Sequence, residues 1–423
     1  MTEDRRQEEQ EFSFIKERIK RQPIYQNKMF RKAVFQIVLA VLCGVIACFV
    51  FVKIYPWMDE TFGKKEAAEI TLPREEEAEV MEEESEGPQE PIVITETQEL
   101  EVEDYKELYR KLRAIAIESE KSLVTVTAAS SDTDWFNETY ESKNQLSGVL
   151  VGNNGVELLV LTVYSELDSA DSLQVTFADG VTRDAALKNY DRVTDLAVIS
   201  VNLADVPEST LGYVKMASLG SSRALHSGEP VIAVGSPAGV ASSVLYGNLA
   251  VADYKTSVID GEYTLLITDI TKNANSSGVL LNLDGQVIGL IENQYLNSNN
   301  KDSLTAYGIS DMKSVIEHLS NNKDLVYIGI MGTDVTSEAA SLQGIPDGVY
   351  VTKVELDSPA MDAGLQAGDI ITEISGQEID SMATIQEMLL KFSRDQLIQI
   401  TVMRQGKEGY QEIPCRVALE KLK

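Results

Sequence analysis

The chain has 423 residues with 37 Lys+Arg against 67 Asp+Glu, a net charge of −30, and an apolar fraction of 43%. That is length for two or three domains and material for real cores, while the acid excess repels phosphate backbones and argues against DNA or RNA as a partner. Two histidines, His226 and His318, and three cysteines, Cys43, Cys48 and Cys415, form no cluster at metal-ligand spacing, so no metal is expected.

Residues 1–32 carry nine basic and six acidic side chains and are expected as a cytoplasmic segment. Ala33 to Val52 (AVFQIVLAVLCGVIACFVFV) is apolar except for Gln36. A helix of that length crosses a hydrocarbon core of ~30 Å, so 33–54 is expected as one transmembrane helix contacting the lipid bilayer. A buried helix and a cleaved signal peptide are the alternatives; the run is long and starts late for a signal peptide. Lys16, Arg18, Lys20, Arg21, Lys28, Arg31 and Lys32 crowd one flank. The positive-inside rule therefore puts the N-terminus in the cytoplasm and the rest of the protein on the far side of a cell membrane. Residues 59–104 hold eighteen acidic and three basic side chains. Dense like charge with few aromatics cannot bury enough surface to offset chain entropy, so 55–104 is expected as a disordered acidic linker.

A helical pattern covers Asp104 to Glu120. From about Ser122 to Ser320 short β-branched runs are broken by Gly, Asn and Asp, among them Leu123-Val-Thr-Val-Thr, Leu158-Leu-Val-Leu-Thr, Leu196-Ala-Val-Ile-Ser-Val and Val231-Ile-Ala-Val. The spacing argues for antiparallel barrels or a sandwich, closed by a second helix at Asp311 to Asn321.

Several strings in this stretch follow one another in the order of the trypsin-like barrels of the HtrA/DegP family. They are Ser147-Gly-Val-Leu-Val, Leu161-Thr-Val-Tyr-Ser, Phe177-Ala-Asp-Gly, Thr194-Asp-Leu-Ala-Val, Gly235-Ser-Pro-Ala-Gly, Thr268-Asp, Asn275-Ser-Ser-Gly and Leu283-Asp-Gly-Gln-Val-Ile-Gly. Each alone is weak, and their shared order resembles that family strongly. The resemblance implies a double β-barrel and serine endopeptidase ancestry with no cofactor, and a homotrimer as the common assembly. It also implies a nucleophile, a base, an orienting carboxylate and backbone donors for the oxyanion.

Carried over by motif, Ser277 matches the nucleophile, Asp195 the carboxylate, and Asn275 and Ser277 the oxyanion loop. The base position holds Ser165, and a serine hydroxyl cannot accept a proton near neutral pH. Asn275 stands where the family has a glycine, and Val279 follows Gly278 where a second glycine is usual. Neither His226 nor His318 falls at a triad position; each reads as an exposed or capping residue. Loss of the base costs on the order of 10⁶ in turnover in a comparable triad enzyme. The residues thus read as a pseudoprotease, with Asp195 and Ser277 retained as ordinary turn residues, and an active endopeptidase using Ser277 with another base stays open.

Tyr327-Ile-Gly-Ile starts a new β pattern, followed by Gly348-Val-Tyr-Val, Ser358-Pro-Ala, Gly368-Asp-Ile-Ile, Ile374-Ser-Gly-Gln and Ile398-Gln-Ile-Thr-Val-Met-Arg. This series resembles a PDZ domain, an α+β fold that adds a polypeptide C-terminus as an extra strand and holds its carboxylate on the amides of a turn. Tyr327, Ile328, Gly329 and Ile330 match that turn and the start of the groove. The expectation is a mostly β protein: a protease-fold domain over 105–322, then a PDZ domain over 323–423.

Overall fold

The structure is a computed structural model describing residues 67–73, 101–133, 139–294, 302–407 and 409–421. The segments expected as cytoplasmic (1–32) and as the transmembrane helix (33–54) lie outside the described residues, as does most of the linker. Among the described residues no helix is long and apolar enough to cross a membrane.

Helix α1, Val102–Glu120, opens with a capping box in which Glu101 and Asp104 exchange side-chain and backbone hydrogen bonds. Six strands then close into a barrel: β1 (Leu123–Thr133), β2 (Thr139–Asn153), β3 (Glu157–Val163), β4 (Ser172–Phe177), β5 (Thr182–Asp191) and β6 (Leu196–Asn202), in the order β1-β2-β3-β6-β5-β4. Six more close a second one: β7 (Pro230–Ser236), β8 (Ser243–Val258), β9 (Gly261–Thr271), β10 (Ser277–Leu281), β11 (Val287–Glu292) and β12 (Ser303–Gly308), in the order β10-β11-β12-β9-β8-β7. Barrels therefore, and not a sandwich.

The apolar runs are continuous because these strands are buried on both faces. In β3, Leu158 and Val160 point into the first barrel's own core, while Leu159 and Leu161 join a separate core between the barrels. β7 divides in the same way, with Val231 and Ala233 inside its barrel and Ile232 and Val234 in the shared core. Helix α2, Ile309–Ser320, seals that shared core with Met312, Val315, Ile316 and Leu319. A cleft between the barrels is thus walled by strand ends that packing on two sides holds still.

After the connection 321–325 comes the PDZ domain. It contains β13 (Val326–Tyr327), β14 (Ile330–Asp334), β15 (Val349–Val354), β16 (Ile370–Ile374), β17 (Gln377–Glu378), helix α3 (Met382–Leu389), β18 (Leu397–Gly406), β19 (Gly409–Ala418) and β20 (Glu420–Lys421). Its sheet runs β14-β15-β16-β18-β19, with β17 on β16 and β13 paired to β20. Its core is its own, built on Ile328, Val351, Ile371, Ile385, Ile400 and Val417.

Two parts of the linker expected to be disordered over 55–104 differ, and one of them, 101–104, forms the cap and first turn of α1. Residues 67–73 are extended and docked: Ala68 N–H donates to the Asn154 carbonyl at 2.9 Å, and Asn321 brackets Ile70, accepting from its N–H at 2.8 Å and donating to its carbonyl at 2.7 Å. Ile70 and Leu72 pack on the shared core. Ile-Thr-Leu is a short apolar patch inside the acidic stretch, and burying it offsets the cost of ordering its neighbours.

Candidate functional site

The structure brings Ser165, Asp195, Asn275 and Ser277 to one inter-barrel cleft of about 470 Å³. Asp195 sits on the turn between β5 and β6. The buried Asp191 builds that turn by accepting from the N–H groups of Val193 and Thr194, at 3.1 and 3.2 Å, and from the Thr194 hydroxyl at 2.7 Å. Asp195 takes the left-handed conformation, φ 58°, that a short polar side chain tolerates. Its carbonyl accepts from Tyr164 N–H at 2.8 Å, which fixes the chain leaving β3 and so sets Ser165 opposite its carboxylate.

Ser165 fills both oxygens of that carboxylate. Its N–H donates to Oδ1 at 2.7 Å and its hydroxyl to Oδ2 at 2.8 Å. Burial pushes the Asp195 carboxyl above its ordinary range, while hydrogen bonds from Ser165 and the Gln294 side chain pull the other way. The place where a base would bridge carboxylate and nucleophile is therefore held by a short hydroxyl already committed to the carboxylate.

Ser277 is the first residue of β10 and is buried, 2% exposed. Its Oγ accepts from Ser147 N–H at 3.1 Å, and Ser147 is pinned in turn by Thr162 Oγ1, which donates to its carbonyl at 3.1 Å. Among the described residues no imidazole or amine hydrogen-bonds Ser277 Oγ. Next to it, Gly278 has φ 118°, and a Cβ there would stand 2.1 Å from the Val234 carbonyl oxygen, so the crossing of β7 and β10 admits only glycine.

Asn275 lies on a tight turn closed by Asn273. Asn275 N–H donates to Asn273 Oδ1 at 3.2 Å, Ser276 N–H to the Asn273 carbonyl at 3.1 Å, and Asn273 N–H to Ser276 Oγ at 2.9 Å. Ser276 Oγ donates onward to the Pro237 carbonyl at 2.6 Å. One of the two amides matched to an oxyanion hole is thus occupied inside its own loop.

The histidines lie elsewhere. His226 is exposed in the turn before β7, with Nδ1 3.3 Å from Glu229 Oε1. His318 is half-buried rather than exposed: its ring nitrogens lie 2.9 Å from the Ser314 carbonyl and 2.8 Å from the Leu390 carbonyl, so it joins α2 to the end of α3. Among the described residues no group of His, Cys, Asp and Glu could hold a metal ion.

The second candidate site is the turn Tyr327–Ile330. The N–H groups of Ile328, Gly329 and Ile330 converge, and Gly329 makes this possible with φ 88°. A Cβ at Gly329 would lie 2.3 Å from Ser358 Cβ, so glycine is required by the wall behind the turn as well as by what lies in front. In front is a side chain with no site reading from sequence, Asp260, on the two-residue turn joining β8 to β9. Its Oδ2 accepts from Ile328 N–H at 2.7 Å, its Oδ1 from Ile330 N–H at 2.8 Å, and both from Gly329 N–H at 3.0 Å. Asp260 N–H donates back to the Ile330 carbonyl at 2.8 Å. The Asp260-Gly261 pair between β-branched runs signals a hairpin; nothing in the sequence signals its partner.

Comparison with known proteins agrees with both domains. The trypsin-like peptidase domain family matches residues 146–290 and the PDZ domain family residues 326–414. "Serine protease Do-like HtrB" of Bacillus subtilis (strain 168) is 30% identical over 280 residues, covering 62% of this chain and 60% of that protein. "Serine protease Do-like HtrA" of Lactobacillus helveticus is 29% identical over 303 residues, covering 67% and 70%. The "Probable periplasmic serine endoprotease DegP-like" of Halomonas elongata is 30% identical, covering 63% of this chain and 55% of that protein. The match thus spans 55% to 70% of these relatives' own length. Among solved structures, "HtrA-type protease AlgW with decapeptide" shares the fold, with a TM-score of 0.51 at 21% identity over 73% of this chain and 98% of that one.

Proposed function

The chain belongs to the HtrA family of trypsin-fold proteins with a PDZ domain, and from that premise we propose that it binds polypeptide without cutting it. The observation that carries this reading is Ser165, whose N–H and hydroxyl take both oxygens of Asp195. A hydroxyl there donates and cannot take up the proton that Ser277 would have to release. The engagement of Asn275 N–H by Asn273 and of Ser277 Oγ by Ser147 N–H supports the same conclusion. Binding falls to the PDZ domain, whose turn at Tyr327–Ile330 offers three convergent amides suited to a terminal carboxylate. In this reading the apolar run 33–52 anchors the protein in a cell membrane, the folded domains lie on the extracytoplasmic side, the assembly is a homotrimer, and the role is quality control or regulation of envelope proteins.

The second reading is a working serine endopeptidase, which the relatives named as serine proteases and the shared cleft of Asp195 and Ser277 favour. One assay separates the two. Purified full-length protein is incubated with unfolded casein beside its Ser277→Ala variant, and Ser277 is probed with a fluorophosphonate. The binder reading expects no cleavage above the Ser277→Ala background and no labelling. Cleavage that Ser277→Ala abolishes would overturn it.

A further inference from the structure

The contacts at Asp260 reproduce what a PDZ groove does with a chain end. Three backbone amides hold a carboxylate, and the same residue's N–H pairs with the strand that follows the turn. Here the carboxylate is a side chain of the neighbouring barrel. Asp260 projects from a hairpin whose paired residues, Val258 and Gly261, leave only Ile259 and Asp260 at its tip. Asp260 has φ 58°, and Gly261 behind it lies against α3, where an added Cβ would stand 3.1 Å from the end of the Gln386 side chain. Beside the carboxylate a cavity of about 60 Å³ remains, lined by Ile259, Tyr263, Tyr327 and Leu389, with room for a few waters.

We infer that Asp260 is the resident ligand of the PDZ carboxylate turn: the domain binds its own chain in place of a polypeptide terminus, and a terminus enters only by displacing it. The inference rests on the peptide-binding reading above for its second half alone. Asp260 is 6% exposed, and an aspartate with its carboxylate so buried is costly unless its lone pairs are filled, which the three amides do. Burial pushes this carboxyl up to about 6 while the amides pull it down, and because all three partners are N–H donors the turn is built for an acceptor-only group. A peptide terminus presents the same chemistry, and the two cannot occupy one set of amides. The apparent Kd for a terminus is therefore raised by the inverse of the fraction of molecules in which the turn is empty.

Two variants of the full-length protein test this. Asp260→Gly removes the carboxylate and is at ease at positive φ; Asp260→Asn keeps the shape but turns an NH₂ toward N–H donors. Both are compared with wild type in two measurements. The first is hydrogen exchange over residues 326–331, expected at least tenfold faster in both variants. The second is titration with an equimolar pool of fluorescent decapeptides ending in Val, Leu, Ile or Phe, as free acids and as C-terminal amides. The free acids are expected to bind both variants at least tenfold tighter than wild type, and the amides to gain nothing. Unchanged exchange in both variants overturns the seating of Asp260 in the turn. Free acids that bind all three proteins equally overturn displacement. If exchange accelerates but no pool binds any of the three, Asp260 is the ligand as inferred, and it is the peptide-binding reading of the domain that falls.

Discussion

Ser165 donates to Asp195 through both its amide and its hydroxyl, so the carboxylate is satisfied without an imidazole. Restoring a ring at this position therefore addresses only one of three departures. In Ser165→His the Asn275 amide still bonds Asn273, and Ser277 Oγ still accepts from Ser147 N–H. We expect Ser165→His to leave casein cleavage and fluorophosphonate labelling at background; activity that Ser277→Ala removes would show that the loop opens once a base is present. At this scale the sequence is informative about identity and silent about engagement. The strings around Ser165, Asp195 and Ser277 are local, and their residue types alone put a serine where the resemblance places a base. The bond between Asn275 and Asn273 and the role of Asp260 depend on backbone direction, which residue types do not encode. Asp260 meets amides 68 to 70 positions away, a separation at which neither periodicity nor turn chemistry carries a signal.

Among elements, the strands illustrate the same limit from the other side. β3, β6 and β7 read as unbroken apolar runs because one face lines a barrel and the other the core between barrels, so the alternation that marks a one-sided sheet is absent. The strands are legible in the pattern; periodicity alone leaves barrel or sandwich open, and the ordered strings that resemble the HtrA/DegP barrels are what point to the two closed barrels observed. The PDZ sheet carries a testable interaction of its own. Asp369, 1% exposed, receives Arg404 Nε at 2.6 Å and a terminal guanidinium nitrogen at 2.7 Å, with Gln366 N–H at 2.9 Å. The guanidinium ties β18 to the residue just before β16. Arg404→Met leaves a buried carboxylate without its counter-charge and is expected to cost roughly 3 kcal/mol in PDZ stability, read from denaturant unfolding. Asp369→Asn combined with Arg404→Met is expected to recover part of that loss, because no charge is then stranded. A double variant as unstable as the sum of its singles would refute a charge-based account.

At the scale of the whole molecule, barrel and PDZ domain meet through several polar contacts besides Asp260. Lys421 Nζ donates to Asn189 Oδ1 at 3.1 Å and His318 faces the Leu390 carbonyl, while Asn189 also donates to the Lys323 carbonyl of the connection at 2.9 Å. If these hold one docked arrangement, variants that loosen it share a single equilibrium. Asn321→Ala, which frees Ile70 from the connection, is then expected to tighten binding of the free-acid peptide pool two- to fivefold. Added to Asp260→Gly it should gain less than that, since little docked population is left to release. Full multiplication of the two gains would mean that the sites act independently.

The docking of residues 67–73 has a mechanical consequence. Their bonds end on Asn321, and Glu69 reaches Lys323, both within the connection about which the PDZ domain would swing. Tension arriving along the preceding chain would be delivered to Asn321 and Lys323 before it reached the contact at Asp260. A ligand competing at the Tyr327–Ile330 turn works instead at the closed contact itself. Force from the N-terminal side and a competing chain end thus act on different contacts, the first at Asn321 and Lys323 and the second at Asp260.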